Sequence, residues 1–264
     1  MNPIRLARRL AGKAIRAAPF VRRLWYVSTD YRLISEEELR AGQARGWFSP
    51  LTAFRQERAY LALLAQMRAG DPREDLVIAA AAIDALGLDK ASLLEIGCGS
   101  GYYRDVFDHL PRTSIAYSGI DYSAAMVARA LQRYPGADFR QMDATRLDIA
   151  DGAFDIAFNG VSLMHIPDWK KAVAESRRIA RRACIFHSVP VFPTRATAHI
   201  AKYAYGAPVI EMVFNRDELL ACFAENGLDL VQTWTGLSYD VHAVAGEHSH
   251  AETFLCVPSG GCGP

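Results

Sequence analysis

The feature that most constrains the fold is the run from Leu93 to Tyr103, which reads L-L-E-I-G-C-G-S-G-Y-Y. A short apolar segment ends in an acid and is followed by three glycines at alternating positions, Gly97, Gly99 and Gly101. Glycine adopts positive φ readily and has no Cβ that would keep a ligand away from the backbone. The peptide N–H groups and the first turn of a following helix can donate to an anionic group. The run therefore predicts a strand, a ligand-binding loop and a helix.

Two familiar phosphate-binding loops fit this spacing poorly. A dinucleotide fingerprint reads G-x-G-x-x-G, and Tyr102 stands where that pattern has glycine or alanine, which disfavours a nicotinamide-dependent dehydrogenase. A Walker loop needs a Lys-Ser or Lys-Thr pair after its last glycine, where this chain has Tyr102 and Tyr103. The stretch instead resembles the first motif of class I S-adenosylmethionine-dependent methyltransferases, acid-x-G-x-G-x-G at the end of the first strand.

Three further segments follow in the order and spacing of that family. Residues 115–121 read as a second strand ending in Asp121, residues 138–144 as a third with Asp143, and residues 153–160 as a fourth with Asn159. A carboxylate at a strand's carboxyl end can accept both hydroxyls of an adenosine ribose, although an isolated acid there can also cap the next helix. The resemblance implies that Asp143 receives the adenine amino group. The residues that it assigns to S-adenosyl-L-methionine are Glu95, Gly97, Cys98, Gly99, Gly101, Asp121, Tyr122, Asp143, Ala144 and Asn159.

The alternation of strands and helices predicts an α/β fold with a parallel sheet. The resemblance implies that this sheet is Rossmann-like, seven-stranded and mostly parallel, with a C-terminal antiparallel hairpin. Helices flank this sheet. Strands are expected near residues 93–96, 115–120, 138–142, 154–158, 183–187, 228–234 and 252–257, and helices near 75–86, 101–109, 123–134, 167–180 and 215–226. Residues 1–70 are expected to form a helical N-terminal extension and residues 71–264 the methyltransferase domain, with 188–214 as a substrate-cap insertion. The acceptor pocket is expected from residues 25–67 and 189–214.

Composition is that of an ordinary globular protein, with 51% hydrophobic and 22% charged residues. No apolar run is long enough to predict a membrane-spanning helix. The cysteines number five and form no C-x-x-C pair, which favours buried thiols in a reducing cytoplasm over disulfides or a metal site. Nucleic acid is an unexpected partner, because the chain has no stripe of alternating aromatic and basic residues.

The first 29 residues are strongly basic. They contain seven arginines and lysines and no acid: Arg5, Arg8, Arg9, Lys13, Arg16, Arg22 and Arg23. An amphipathic helix of this kind can lie on an anionic membrane surface, which predicts a peripheral contact through residues 1–24. A helix packed on its own domain, a partly disordered tail and a mitochondrial presequence remain open alternatives. The sequence does not indicate the oligomeric state.

Methyl transfer from a sulfonium requires alignment of a nucleophile behind the methyl group and, for a hydroxyl, a base. His165, just after the fourth strand, and His187, at the end of the fifth, are the candidate catalytic bases. Each could equally be a histidine that only hydrogen-bonds its loop. Val161 and Met164 stand where some quinone methyltransferases have acidic metal ligands, so no metal is expected.

Together these features predict S-adenosylmethionine-dependent methyl transfer to a small-molecule or lipid/glycan-linked acceptor, at oxygen. The alternative is a non-catalytic methyltransferase-like binding protein anchored by its basic tail. The intact glycine loop and both strand-end acids favour the enzyme.

Overall fold

The computed structural model describes residues 29–42 and 46–260. The basic segment and its expected membrane contact through residues 1–24 lie outside the described residues, as does Cys262. Within the described part of the chain, no helix is both long and apolar enough to span a bilayer.

The central sheet contains seven strands. Five are parallel and lie in the order β4-β3-β2-β5-β6, and β10 joins antiparallel to β6 and to β9. Their bounds are Lys90–Ile96 (β2), Ser114–Asp121 (β3), Phe139–Gln141 (β4), Phe154–Gly160 (β5), Ala180–Phe192 (β6), Leu228–Thr235 (β9) and His250–Pro258 (β10). The prediction of a mostly parallel sheet closed by an antiparallel hairpin is confirmed.

The described residues form eight α-helices, and the five between residues 74 and 225 cover the faces of this sheet. The eight helices are Glu36–Gly42 (α1), Pro50–Arg68 (α2), Glu74–Asp84 (α3), Tyr102–Phe107 (α4), Ala124–Arg133 (α5), Trp169–Ile179 (α6), Arg216–Glu225 (α7) and His242–Ala245 (α8). Successive residues of β2 point to opposite sides, so that Leu93 packs with α3 and α4 while Leu94 packs with α6 and α7. A sheet buried on both faces explains the nearly continuous apolar runs of its strands.

Local capping fixes where two of these helices begin. The Ser123 hydroxyl accepts a hydrogen bond from the backbone N–H of Met126 at the start of α5, and the Asn215 side chain accepts one from Glu218 at the start of α7. Both caps follow a strand directly. They therefore set where the chain turns away from the carboxyl edge of the sheet.

A second, antiparallel layer of three strands stands at this edge. It comprises β1 (Thr29–Ile34), β7 (Ala198–Ala204) and β8 (Ala207–Asn215), with β7 in the middle. We call it the cap sheet. It is joined to the central sheet because Val191 and Phe192 at the end of β6 pair in parallel with Phe214 and Asn215.

The cap sheet modifies the expected organisation of the N-terminal region. Residues 29–34 were expected within a helical extension and instead form a strand that pairs with β7. The partner strand is about 170 residues away in sequence, and a pairing of that range leaves no local periodic signal. Residues 36–42 and 50–68 are helical, as the pattern predicts.

Candidate active site

A cavity of about 390 Å³ lies between the carboxyl edge of the central sheet and the cap sheet. One side is formed by the segments that follow β2, β3, β4 and β5, and the other by residues around the start of α2 and by β7 and β8. Ligands of open α/β sheets bind at this edge, at the point where the strand order reverses. In this sheet the reversal lies between β2 and β5, where the glycine loop is found.

The glycine loop needs its glycines for two reasons, backbone conformation and space. Gly97 and Gly101 have φ values of +77° and +78°, in the left-handed region that disfavours side chains. A Cβ at Gly97 would lie 2.4 Å from the Cβ of Ser162, and one at Gly101 would lie 2.5 Å from the ring of Phe139. The loop is therefore closely packed against β4 and against the segment that follows β5.

Asp121 connects this loop to the end of β3. Its carboxylate accepts hydrogen bonds from the backbone N–H groups of Gly99 and Ser123, each over 2.8 Å. Burial raises the pKa of Asp121, and the two backbone donors oppose that shift. The side chain also lines the cavity together with Tyr122. A carboxylate is thus held beside the glycine loop at the position expected for a ribose-binding acid.

The segment after β4 supplies a second carboxylate. Asp143 is exposed and lines the cavity between Met142 and Ala144. One of its oxygens accepts hydrogen bonds from the backbone N–H and the hydroxyl of Thr145, each over 2.8 Å. The cavity therefore brings together Gly97, Cys98, Gly99, Asp121, Tyr122, Asp143 and Ala144 of the predicted cofactor residues, and also His165.

Three predicted cofactor residues lie outside the cavity lining. Glu95 is buried beneath the loop, where it accepts a hydrogen bond from the Tyr117 hydroxyl, and desolvation raises its pKa well above the usual range. The Asn159 amide donates to the Ser176 hydroxyl over 3.1 Å, so its side chain points toward α6. Gly101 begins α4 next to Phe139. Glu95 and Gly101 thus support the loop from behind, and Asn159 belongs to the other face of the sheet.

The two candidate bases also differ in position, because only one of them lines the cavity. His187 is 1% exposed and does not line the cavity; its Nδ1 lies 2.8 Å from the Thr253 hydroxyl, and its ring stacks on Phe158. Desolvation lowers the pKa of His187 to about 4. His187 is therefore a buried core residue that does not face the cavity, which disfavours it as the base.

His165 does line the cavity. Its Nδ1 lies 2.9 Å from the carbonyl oxygen of Ile210, which can only accept, so Nδ1 carries the proton and Nε2 has the free lone pair. Burial lowers the pKa of His165, and the Glu211 carboxylate opposes part of that shift. The ring is further held edge-on by Trp47, with 5.0 Å between ring centroids. The imidazole is consequently neutral, fixed in one tautomer and able to accept a proton.

A buried ion pair borders the cap side of the cavity. Lys202 Nζ lies 2.6 Å from a carboxylate oxygen of Glu211, and the two side chains are 11% and 0% exposed. The other Glu211 oxygen accepts a hydrogen bond from the Tyr239 hydroxyl. Lys202 and Tyr239 line the cavity, whereas Glu211 does not. Glu211, which lies behind the cavity wall, thus holds the Lys202 ammonium group and the Tyr239 phenol in position.

Sequence reasoning missed several residues that line the cavity. They are Trp47, Gln56, Tyr60, Ser162, Lys202, Tyr205 and Tyr239. Most fall in the two segments expected to form the acceptor pocket, but Tyr239 comes from the connection between β9 and β10. The sequence signal that could have pointed to some of them is the number of aromatic residues before residue 67. That number is larger than the packing of one helix face requires. Nothing in the local sequence marked Tyr239.

The strand order, the glycine loop and the acids after β3 and β4 define a class I, Rossmann-like nucleoside-binding fold. Residues 94–187 match the family model described as a methyltransferase domain. They form a class I S-adenosylmethionine-dependent methyltransferase domain.

Known proteins agree with this assignment. A probable S-adenosylmethionine-dependent methyltransferase of Mycolicibacterium smegmatis is 34% identical over 36% of this chain and 35% of its own length. A phosphatidylethanolamine N-methyltransferase of Cereibacter sphaeroides is 32% identical over 34% of this chain and 45% of its own length. The chain thus spans less than half the length of these two relatives. The solved magnesium protoporphyrin IX methyltransferase of Synechocystis PCC 6803, with S-adenosylmethionine bound, shares the fold with a TM-score of 0.54 at 16% identity, over 88% of this chain and 100% of that one.

Proposed function

We propose that the protein transfers a methyl group from S-adenosylmethionine to a small-molecule or lipid-linked or glycan-linked acceptor, at an oxygen atom. The observation that carries this proposal is that one cavity is lined by the glycine loop, by Asp121 and by His165, whose Nδ1 is bound to the Ile210 carbonyl. The residues proposed for the cofactor and the proposed base therefore line the same cavity. The cofactor, when bound, supplies an electrophilic methyl group.

The residues on the sheet side fit the cofactor. Gly97 and Gly99 leave bare backbone where side chains would fill the space, and the Asp121 carboxylate beside them suits ribose hydroxyls. Asp143, exposed in the cavity wall, suits an exocyclic amino group. We expect these residues to bind the nucleoside and so direct the reacting end toward the cap sheet.

His165 is the proposed base. With a hydroxyl acceptor, Nε2 would take up the hydroxyl proton during the transfer, while Nδ1–H stays bound to the Ile210 carbonyl. The imidazolium that results is stabilised by the nearby Glu211 carboxylate, which favours the charged ring. Trp47 keeps the ring from turning.

The cap side of the cavity indicates the acceptor's chemistry. Trp47, Tyr60 and Tyr205 offer apolar ring surfaces, and Lys202 offers N–H donors. Because Glu211 neutralises the ammonium group, this wall favours a neutral or partly charged oxygen over a fully anionic group. An acceptor with a ring or hydrocarbon part beside an oxygen function fits both features. The lipid named for the Cereibacter sphaeroides relative supports the lipid-linked class.

The test begins with calorimetric titration of the protein with S-adenosylmethionine, S-adenosylhomocysteine and NAD. We expect micromolar binding of the two adenosyl ligands and none of NAD. An acceptor screen with labelled methyl groups follows, with wild type compared to His165→Gln and, as a control, to exposed His109→Gln. His165→Gln should bind the cofactor normally and lose about 100-fold or more in turnover.

Each part of the proposal can fail separately. Folded protein that binds neither adenosyl ligand would overturn the cofactor assignment and favour the non-catalytic alternative. Normal turnover in His165→Gln would leave the cofactor assignment intact and remove the base. Methylation recovered only on nitrogen would reject the oxygen acceptor.

A further inference from the structure

An apolar stripe on the outside of α2 is partly exposed to solvent in the structure of residues 29–42 and 46–260. Leu51, Phe54 and Leu61 share one helix face, and they are 53%, 41% and 37% exposed. Phe48, just before the helix, is 44% exposed. We call these four residues the α2 stripe. Single exposed apolar residues are ordinary, but four along one edge mark an interaction surface.

The charges around the stripe are basic. Arg58 is exposed on the same face, with its guanidinium 5.8 Å from the Phe54 ring centroid, and the Arg129 guanidinium lies 5.5 Å from the same ring. The single acid of α2, Glu57, is buried and paired with Arg129. The surface therefore offers apolar side chains and arginine while its carboxylate is turned inward.

The stripe ends at the mouth of the cavity. The Phe48 ring packs 4.6 Å from the ring of Tyr122, which lines the cavity, and the neighbouring Trp47 lines it as well. Whatever binds the stripe is therefore brought next to the acceptor side of the active site.

The basic N-terminal segment joins the body at the same corner. Thr29, its first described neighbour, pairs with Tyr203 in the cap sheet. Two residues further on, the carbonyl of Tyr205 accepts a hydrogen bond from Arg55 of α2 over 3.4 Å. The 28 residues before Thr29 contain seven basic residues and no acid. The described chain that follows this basic segment is thus paired with β7, whose following residue Tyr205 is bound by α2.

We infer that the α2 stripe docks on an anionic lipid surface, with its apolar side chains in the interfacial region and Arg58 among the headgroups. Apolar insertion and basic residues near anionic headgroups are the two attractions that hold a peripheral protein on a bilayer. Docking of the stripe would place the mouth of the cavity next to a lipid-linked acceptor in the bilayer. This last consequence rests on the proposed function, whereas vesicle binding does not.

The test is sedimentation of the full chain with vesicles of phosphatidylcholine alone or mixed equally with phosphatidylglycerol. Leu51→Gln/Phe54→Gln/Leu61→Gln is compared with Val77→Gln/Leu230→Gln/Val231→Gln, which changes three exposed apolar residues elsewhere on the molecule. We expect binding to the mixed vesicles only, about tenfold weaker in the stripe variant and unchanged in the control. Deletion of residues 1–24 should weaken binding further in the stripe variant.

The same samples are titrated with S-adenosylmethionine, and their molecular mass is measured by ultracentrifugation. Cofactor binding that survives in the stripe variant shows that it folds and separates this inference from the proposed function. No vesicle binding by the full chain, or equal binding by the stripe variant, overturns the inference. A dimer that the stripe substitutions convert to monomer assigns the stripe to a second copy and also overturns it. Vesicle binding that increases when residues 1–24 are deleted shows that this segment covers the stripe. That result also overturns the inference.

Discussion

The carboxylate of Asp121 accepts a hydrogen bond from the backbone N–H of Gly99 over 2.8 Å. The two residues are 22 positions apart and belong to different motifs, the glycine loop after β2 and the acid at the end of β3. This hydrogen bond therefore links the two motifs directly. Asp121 positions the loop and also faces the cavity, so its two roles are coupled.

We predict that Asp121→Ala weakens S-adenosylmethionine binding at least tenfold, because it removes a ligand contact and releases Gly99. A loss of that size corresponds to about 1.4 kcal/mol. The control is Asp138→Ala, which removes an exposed acid paired with Arg140. Calorimetric titration measures both variants. Equal affinity in Asp121→Ala and wild type would reject the proposed cofactor position.

Alanine substitutions at Gly101 and Gly136 distinguish the cost of backbone strain from the cost of steric overlap. Both glycines have φ near +80°, but only at Gly101 would a Cβ meet other atoms, with the Phe139 ring 2.5 Å away. We expect Gly136→Ala to lower the free energy of unfolding by about 1 kcal/mol and Gly101→Ala by about 2 to 4 kcal/mol. Urea denaturation measures both values. Equal losses would mean that Phe139 moves aside freely and that the loop tolerates a side chain.

Glu95 should make stability depend on pH in a particular direction. Burial raises its pKa, so above the usual glutamate range the folded protein retains a proton that the unfolded chain has released. The free energy of unfolding then falls as the pH rises through this interval. Glu95→Gln lacks this proton and still accepts from Tyr117, so its stability relative to wild type should increase from about pH 5 to about pH 8. Thermal melts across that range measure the difference, with exposed Glu37→Gln as the control; a constant difference would show that Glu95 is ionised at no cost.

The Lys202–Glu211 pair should show strong coupling. Lys202→Met or Glu211→Gln alone leaves one buried charge uncompensated, and each should cost about 3 kcal/mol of folding free energy. The double variant should recover most of that loss, because no isolated charge remains. Acceptor binding should stay weak in the double variant, since the ammonium group is missing. Denaturation of the four proteins measures the coupling, and simple addition of the two single losses would contradict a functional ion pair in this wall.

Much of the fold could be predicted because it depends on patterns among residues that are close together in the sequence. The alternation of apolar strands with helical segments placed most of the central strands close to their observed bounds. The glycine loop, Asp121 and Asp143 follow strands directly. Because parallel strands end at a common edge, their order along the chain was enough to place them in one cavity.

Side-chain direction was not predictable in the same way. Asn159 lies next to the end of β5 and faces α6, whereas His187, expected at a strand end, lies inside the longer β6 and packs against Phe158. Adjacent residues of a strand point to opposite faces, so an error of one position in the register reverses the expected environment. The motif gives the end of the strand and leaves the direction of each side chain to the packing of the sheet.

The sequence by itself determined the central sheet and the glycine loop beside the strand-end acids, because those features depend on short-range periodicity and on glycine's backbone freedom. Only the tertiary structure decided the cap-sheet side of the cavity. It pairs β1 with β7 across most of the chain, and it brings together Lys202, Glu211, Tyr239 and His165 from four separate segments. Those contacts join residues distant in sequence through burial and charge, for which no local pattern exists.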